Sequence, residues 1–250
     1  MSAPGSPVEV REVWKAFEQK PVLCGVSFAL AKGTTLAVMG GSGTGKTVLL
    51  RIVAGLRRPD AGQVALFGTR IDTMREEQML ALRRRTGFVF QGAALFDSLS
   101  VFENVAFPLR EHTSLSLGEI TDRVHRFLSL VGLPGTDDLL PAALSGGMRK
   151  RVGIARALVM EPEAVFFDEP TAGLDPTNAR LVSELIAALR AGVCDTAIVV
   201  THDLEFAEMV ADQMAILHQG RFADVGTPAE IRRSTSHDVQ RFLAGELRES

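Results

Sequence analysis

The 250-residue sequence is poor in several residue types: it has no tyrosine, one tryptophan and two cysteines, and its formal net charge is only −3. Cys24 and Cys194 lie far apart and belong to no ligand-spaced cluster, so we expect two buried thiols in a reducing compartment rather than a disulfide or a metal site. The nearly balanced charge argues against nucleic acid as a partner, because nucleic-acid-binding proteins usually carry a basic face.

Long apolar runs are also missing, so the sequence predicts no membrane-spanning helix, which would need about 18 or more apolar residues in a row. Residues 1–7 lack the charged start and apolar core of a signal peptide and are predicted to be a loose tail. Apolar content of 46% and charged content of 23% are close to globular averages, which argues against disorder.

A glycine-rich loop stands between an apolar run at 35–39 and a helical pattern that follows it. The loop fits the pattern G-x-x-x-x-G-K-[ST] in the strand, loop and helix context that the pattern requires, and it reads Gly40-Gly41-Ser42-Gly43-Thr44-Gly45-Lys46-Thr47. Glycine tolerates positive φ and lets backbone N–H groups approach phosphates, and the helix N-terminus adds its positive dipole end. We therefore expect Lys46 to reach the β- and γ-phosphates of a nucleotide and Thr47 to bind Mg²⁺.

The rest of the chain alternates strand and helix patterns, which predicts an α/β fold with a parallel sheet. Residues 8–14 and 25–30 have strand character and predict an N-terminal antiparallel β-layer. Residues 93–96 and 101–107 carry clustered aromatics with a helical period, and 92–160 is predicted to be a mainly helical insertion. The α/β alternation resumes at 164. Phe17 lies between the first two strands, where it would either stack on an adenine ring or sit at the edge of the core.

Three polar side chains follow apolar strands at what should be the carboxyl edge of the sheet, where ligands bind in such folds. Asp168 and Glu169 follow the buried run 164–167. A Mg²⁺ site shared with Thr47 would account for Asp168, and Glu169 would be the general base that activates water. The alternative is a pair of loop carboxylates. His202 follows the run 197–200 and is either a structural residue or a sensor of the γ-phosphate.

A second anion-binding helix start is predicted at Ser145. Ser145 is a good N-cap, and Gly146 and Gly147 behind it leave backbone N–H groups exposed. Because one nucleotide does not need two such helix starts, the second is expected to serve a nucleotide held by another copy of the chain.

These motifs together resemble the ATP-binding cassette ATPases. The matching segments occur in the order and spacing of that family: 40–47, Gln91, 144–148, 165–169, 172–176 and His202. The resemblance covers nearly the whole chain and implies an ABC-ATPase fold of the P-loop NTPase class, with the antiparallel β-layer at the N-terminus and a helical subdomain inserted in a RecA-like core. One ABC ATPase domain would span 1–250, with its core at 8–91 and 161–235, the helical subdomain at 92–160 and a C-terminal helical tail at 236–250.

The same resemblance implies an ATP hydrolase that works as a head-to-tail homodimer with two ATPs at the interface. Each ATP would lie between Lys46 of one subunit and the Ser145-Gly146-Gly147 signature of the other. Asp175 would communicate across that interface, and Gln91 would contact Mg²⁺ and the attacking water. Phe17 matches the adenine-stacking aromatic, a position that is more often tyrosine in the family. The expected cofactors are ATP and Mg²⁺, the metal bound by Thr47, Gln91 and Asp168.

A narrower resemblance is to the ATPases of Mla-type phospholipid transporters, carried by segments 92–99, 107–113 and 146–151. It implies that the chain energises a separate integral membrane permease for phospholipid transport between inner and outer membranes. The chain would be located at the cytoplasmic face of the inner membrane. The resemblance also implies a small regulatory protein and a lipid-binding accessory subunit as partners. The C-terminal segment 238–247 is predicted to be a short amphipathic helix that either binds such a regulator or caps the fold.

Two alternatives to this function remain at the level of sequence: an ABC transporter ATPase with a different cargo, and a soluble cassette ATPase acting on DNA repair or the ribosome. The latter class usually has two cassettes in one chain or a long coiled-coil insertion, and this chain has neither. A permease would contact an apolar patch formed by Leu95, Phe96, Leu99 and Phe102, unless these side chains pack within the helical insertion.

Overall fold

The computed structural model describes residues 6–190, 192–194 and 196–246. Its strands are β1 (Val8–Phe17), β2 (Lys20–Leu30), β3 (Thr35–Met39), β4 (Ala61–Leu66), β5 (Thr69–Arg70), β6 (Thr86–Val89), β7 (Ala164–Asp168), β8 (Ala197–Thr201), β9 (Gln213–His218) and β10 (Arg221–Gly226). Its α-helices are α1 (Lys46–Val53), α2 (Glu76–Arg83), α3 (Val101–His112), α4 (Leu117–Leu130), α5 (Gly146–Leu158), α6 (Pro176–Arg190), α7 (Leu204–Val210), α8 (Pro228–Arg233) and α9 (His237–Leu243).

The described residues form two compact units, 6–83 with 196–246 and 84–190 with 192–194. The first unit begins with an antiparallel sheet of strand order β2-β1-β4-β5. β1 pairs with β2 along most of its length and with β4 on its other side. The predicted N-terminal antiparallel layer is therefore confirmed.

The same unit also contains strands in the order β10-β9-β3-β8. β3 pairs in parallel with both β8 and β9, and β10 is antiparallel to β9. Every residue of β3 and β8 is buried, as expected for short apolar strands that are covered on both faces. Side chains of α7, α8 and α9 pack in one cluster with β3 and β9, around Met39, Ile216, Ile231 and Val239. α1 contacts β8.

The second unit combines two parallel strands, β6 and β7, with helices α3 to α6. α5 contacts α3, α4, α6 and β6, and Phe127 and Phe166 are fully buried. Capping boxes fix the starts of α3 and α4, where Ser100 pairs with Glu103 and Ser116 with Glu119. The α/β class expected from the sequence is thus confirmed.

Some local expectations are wrong. Residues 93–96 are not helical, since Ala93 and Ala94 have φ values of 61° and 50°, and α3 begins only at Val101. Ser6 and Pro7 are buried rather than loose, and the Phe67 N–H donates to the Pro7 carbonyl over 2.8 Å.

Cys24 and Cys194 form no disulfide, as expected, but both are half-buried rather than fully buried. Residues 1–5 of the predicted tail, Ala191 and Asp195, and residues 247–250 of the predicted C-terminal segment lie outside the described residues. Among the helices of the described ranges, none has the length and apolar character needed to cross a membrane.

Candidate functional site

The glycine loop follows β3 and ends at the start of α1. Gly40, Gly43 and Gly45 have φ values of 156°, 82° and 100°. A Cβ on Gly40 would lie 2.4 Å from the Leu217 carbonyl oxygen, and one on Gly45 would lie 2.8 Å from a Val22 methyl carbon. The loop thus needs glycine at these two positions for both conformation and space.

Lys46 is folded over this loop. Its ammonium donates to the carbonyl oxygens of Gly40 and Gly41, over 2.9 and 2.7 Å, and Thr44 Oγ1 also donates to the Gly41 carbonyl. α1 is capped by Gly45, which has no side chain to hydrogen-bond its first amides, and the first turn of α1 carries no acidic residue. A cationic donor beside a positive helix end that has no side-chain cap suits a polyphosphate.

His202 and the glycine loop leave the sheet at the same edge. In the parallel pairing of β3 with β8, the last residues Met39 and Thr201 stand opposite each other, so Gly40 and His202 directly follow the two strands at the same edge. His202 is exposed. Within this unit the structure therefore brings together the loop and the predicted phosphate sensor.

Phe17 stands at the end of β1 and is 37% exposed, which agrees better with a ligand-facing ring than with a core-edge residue. The Arg57 guanidinium lies 4.9 Å and the Lys15 ammonium 5.6 Å from the ring centroid. Asp60 fixes this strand end, because it accepts hydrogen bonds from Lys15 and from the Ala16 N–H. These bonds, the Lys15 bond above all, lower the pKa of Asp60.

In the second unit, the predicted catalytic residues follow β6 and β7. Val89 pairs with Phe167, so Gln91 and Glu169 follow these parallel strands at the same edge, and Asp168 is the last residue of β7. Asp168 and Glu169 are buried, with 1% and 8% of their surface exposed. Glu169 has φ 46°, a left-handed conformation that is uncommon for glutamate, and its carbonyl accepts from the Ala172 N–H over 3.2 Å.

Lys150 contacts both of these segments and was missed by the sequence reasoning. Its ammonium, on α5, donates to the backbone carbonyls of Gln91 and Glu169. Only 6% of Lys150 is exposed. Burial lowers its pKa, while the carboxylates of Glu169 and Asp168 oppose that shift.

A second cation of α5 holds the loop after Gln91. Arg156 donates to the carbonyls of Ala93 and Ala94, each over 2.8 Å. Gly153 allows close packing there, since a Cβ on it would lie 3.3 Å from the Ala93 side chain. These contacts explain why residues 93–96 form a tight loop in place of a helix.

The signature residues Ser145, Gly146 and Gly147 form the start of α5. Ser145 is exposed and its hydroxyl accepts from the Met148 N–H, which confirms it as the N-cap. A Cβ on Gly147 would lie 2.5 Å from Asn178 Oδ1. Asn178 in turn donates to Asp175 over 2.6 Å, and this bond is the main cause of the lowered pKa of Asp175. The structure therefore joins the signature to Asp175 through Asn178.

The predicted apolar patch is only partly exposed. Phe96 is 43% exposed and lies against Phe107, with ring centroids 4.8 Å apart. Leu95, Leu99 and Phe102 are half-buried. Phe102 packs against His125. Of the four predicted residues only Phe96 is exposed, and the exposed Phe107, which was not in the prediction, lies beside it; we call Phe96 and Phe107 the Phe96 patch.

Comparison with known proteins gives a consistent result. Residues 23–172 match the family model described as "ABC transporter". The chain is 41% identical over 257 aligned positions to Protein TRIGALACTOSYLDIACYLGLYCEROL 3, chloroplastic, of Arabidopsis thaliana, an alignment that covers 96% of this chain and 74% of that protein.

Two bacterial relatives differ in the cargo that their names give. The Escherichia coli K12 protein MlaF, an intermembrane phospholipid transport system ATP-binding protein, is 36% identical, with 95% of this chain and 88% of MlaF covered. The Xylella fastidiosa sulfate/thiosulfate import ATP-binding protein CysA is 43% identical, with 94% of this chain and 68% of CysA covered.

Among solved structures, the dimeric ATP-binding cassette MJ0796 in a post-hydrolysis state bound to ADP and Pi is similar with a TM-score of 0.81 and 28% identity, over 88% of this chain and 98% of that one. The protein cbiO1 from Clostridium perfringens, part of the ABC transporter complex cbiONQ, is similar with a TM-score of 0.82 and 30% identity, over 97% of this chain and 96% of that one.

The glycine loop yields a test with a matched control. Gly45→Ala should weaken ATP binding about tenfold or more, because the new Cβ meets Val22 and the backbone is strained, at about 1–3 kcal/mol for such a residue. Gly68→Ala is the control: Gly68 also has positive φ, at +78°, but a Cβ there meets nothing within 4 Å. Titration of each variant with a fluorescent ATP analogue measures the difference, and equal affinities would exclude the loop as the nucleotide site.

Proposed function

The chain belongs to the ABC transporter family as an ATP-hydrolysing subunit, and on that premise we propose that it energises a separate membrane permease for phospholipid transport between inner and outer membranes. The observation that supports this cargo is the similarity to MlaF, which extends over 88% of that protein. The Arabidopsis relative, whose name contains a galactolipid, also favours lipid. Sulfate, named for CysA, is the second candidate cargo.

For nucleotide binding, we propose that Gly40 to Thr47 cradle the phosphates of ATP. Lys46 would exchange its bonds to the loop carbonyls for bonds to phosphate oxygens, since its ammonium already lies over the loop. Thr47, Gln91 and Asp168 offer hydroxyl, amide and carboxylate oxygens, the donors that Mg²⁺ prefers. Mg²⁺ bound with ATP supplies neutralisation of phosphate charge. This assignment depends on the order of the motifs along the chain.

For hydrolysis, Glu169 is the proposed general base. Its carboxylate takes a proton from the attacking water, Gln91 orients that water, and His202 contacts the γ-phosphate. Phe17 stacks on adenine. The burial of Glu169 beside Asp168 favours this assignment, because two adjacent acids are poorly solvated there and gain from a nearby cation.

The working form is proposed to be a head-to-tail homodimer in which Ser145 to Gly147 of one subunit contact the ATP of the other. The similarity to a dimeric cassette bound to ADP and Pi supports this proposal. The exposure of Ser145 at the start of α5 also supports it. Because Gly147 lies against Asn178 and Asn178 donates to Asp175, such a contact would also affect the position of Asp175.

The proposed permease contact is the Phe96 patch, and the chain would be held by the permease at the cytoplasmic face of the inner membrane. A small regulatory protein and a lipid-binding accessory subunit are further proposed partners. The packing of Val239 into the core cluster of the first unit, with Phe242 and Leu243 against it, favours a capping role for α9 over regulator binding.

Replacing the proposed base gives the first test of mechanism. Glu169→Gln keeps the size and hydrogen-bonding capacity of the side chain but removes its basicity, so turnover should fall about 100-fold or more while ATP still binds. Steady-state phosphate release measures the loss of turnover. Size-exclusion chromatography with ATP measures dimer formation, because an ATP-bound dimer should accumulate. Hydrolysis at the normal rate would remove Glu169 from this role.

The dimer proposal has a separate test at Ser145. Ser145→Arg should reduce hydrolysis about tenfold or more, because a long side chain blocks the partner's nucleotide, while ATP affinity of the dilute monomer stays near normal. The matched control is Ala143→Arg, because Ala143 is exposed like Ser145, whereas the nearer Leu144 is buried. Equal loss of monomer affinity in Ser145→Arg would contradict a contact made across the dimer.

The cargo is tested on the assembled transporter. The full chain, purified with its membrane partners in detergent, should retain phospholipid that mass spectrometry identifies, and ATPase activity should respond to added phospholipid and not to sulfate. Stimulation by sulfate, with no lipid retained, would favour the second candidate.

A further inference from the structure

We propose that Lys150 is a positioning residue that transmits the state of the signature helix to the catalytic base and the Gln91 loop of the same subunit. The inference depends on the proposed function, since it takes Glu169 as the base and Ser145 to Gly147 as a contact to the partner's ATP. All of the groups that carry it lie in the second unit, on α5 and after β6 and β7.

The first observation is that one ammonium joins two separate loops. Lys150 Nζ donates to the Glu169 carbonyl oxygen over 3.3 Å and also to the Gln91 carbonyl oxygen. Both acceptors are backbone atoms, so the lysine fixes the path of the chain at both loops. Lys150 is buried. A buried ammonium keeps such partners because leaving its N–H donors without acceptors is unfavourable.

The second observation is the backbone conformation of Glu169. With φ 46°, it lies in a region that a glutamate adopts only when surrounding contacts hold it there. The described contacts to its carbonyl come from Lys150 and from the Ala172 N–H. Removing the lysine takes away one of these two contacts, so the carboxylate of Glu169 would sample positions that are less suited to activating water.

The third observation is the position of Lys150 on α5. The helix begins at the signature, directly after the Ser145 N-cap, and Lys150 lies little more than one turn further along. A small rotation of α5, caused by engagement of Ser145 with the partner's ATP, would therefore move the Lys150 ammonium relative to both carbonyls. Lys150 would in this way link the nucleotide bound by the partner to the base acting on the subunit's own nucleotide.

The test is Lys150→Met in the full-length chain, because methionine has a similar length and no donors. We expect kcat for ATP hydrolysis to fall about tenfold or more, while KM for ATP changes less than about twofold. Arg151→Met is the matched control: Arg151 is the next residue of α5 and also donates to two backbone carbonyls, those of Val131 and Gly132. It should lower thermal stability and leave kcat nearly unchanged.

Lys150→Arg provides the rescue, since it restores donors at this position and should recover kcat to within about threefold of the unchanged chain. If Lys150→Met is too unstable to purify, Lys150→Gln takes its place, because glutamine keeps a polar side chain but is shorter and uncharged, and the same loss of kcat with little change in KM is expected. A kcat for Lys150→Met within twofold of normal, or a loss that Arg151→Met reproduces, would overturn the inference. Failure of the proposed function is distinguishable, because it would show as full activity in Glu169→Gln.

Discussion

Two buried lysines, one in each unit, satisfy backbone carbonyls at the ends of parallel strands, and much of the candidate site depends on them. Lys46 donates to Gly40 and Gly41, and Lys150 donates to Gln91 and Glu169. Where a strand ends, its carbonyls lose their partners in the sheet, and burying them without a donor is unfavourable. An ammonium has three donors, so one side chain can hold two carbonyls and fix an irregular loop.

The two lysines differ in what a nucleotide would do to them. Lys46 lies over a glycine loop at a helix N-terminus, where phosphate oxygens are stronger acceptors than carbonyls for a charged donor. Its bonds are therefore exchangeable. Lys150 lies between two chain segments and donates to a backbone carbonyl of each, so a movement of α5 would act on both segments through it.

The glycine loop, the buried strands and the signature N-cap follow from local rules, and so could be predicted: each depends on residues that are neighbours in the chain. Lys150 could not be, because its partners lie 59 and 19 positions away along the chain, and a lysine on a helix is by default solvated. The loop at 93–96 was missed for a related reason. Its apolar residues have a helical period, yet Arg156 and Gly153 of α5 select a left-handed backbone at Ala93 and Ala94.

α5 is therefore the element to which the proposed functional residues of the second unit are attached. Its first turn contacts Asn178, which holds Asp175; Lys150 holds Gln91 and Glu169; and Arg156 holds Ala93 and Ala94. Packed interiors are stiff, so these attachments move together when the helix moves. A ligand that binds the start of α5 more tightly in one orientation would thereby bias the base, the Gln91 loop and Asp175 at once, without contacting any of them.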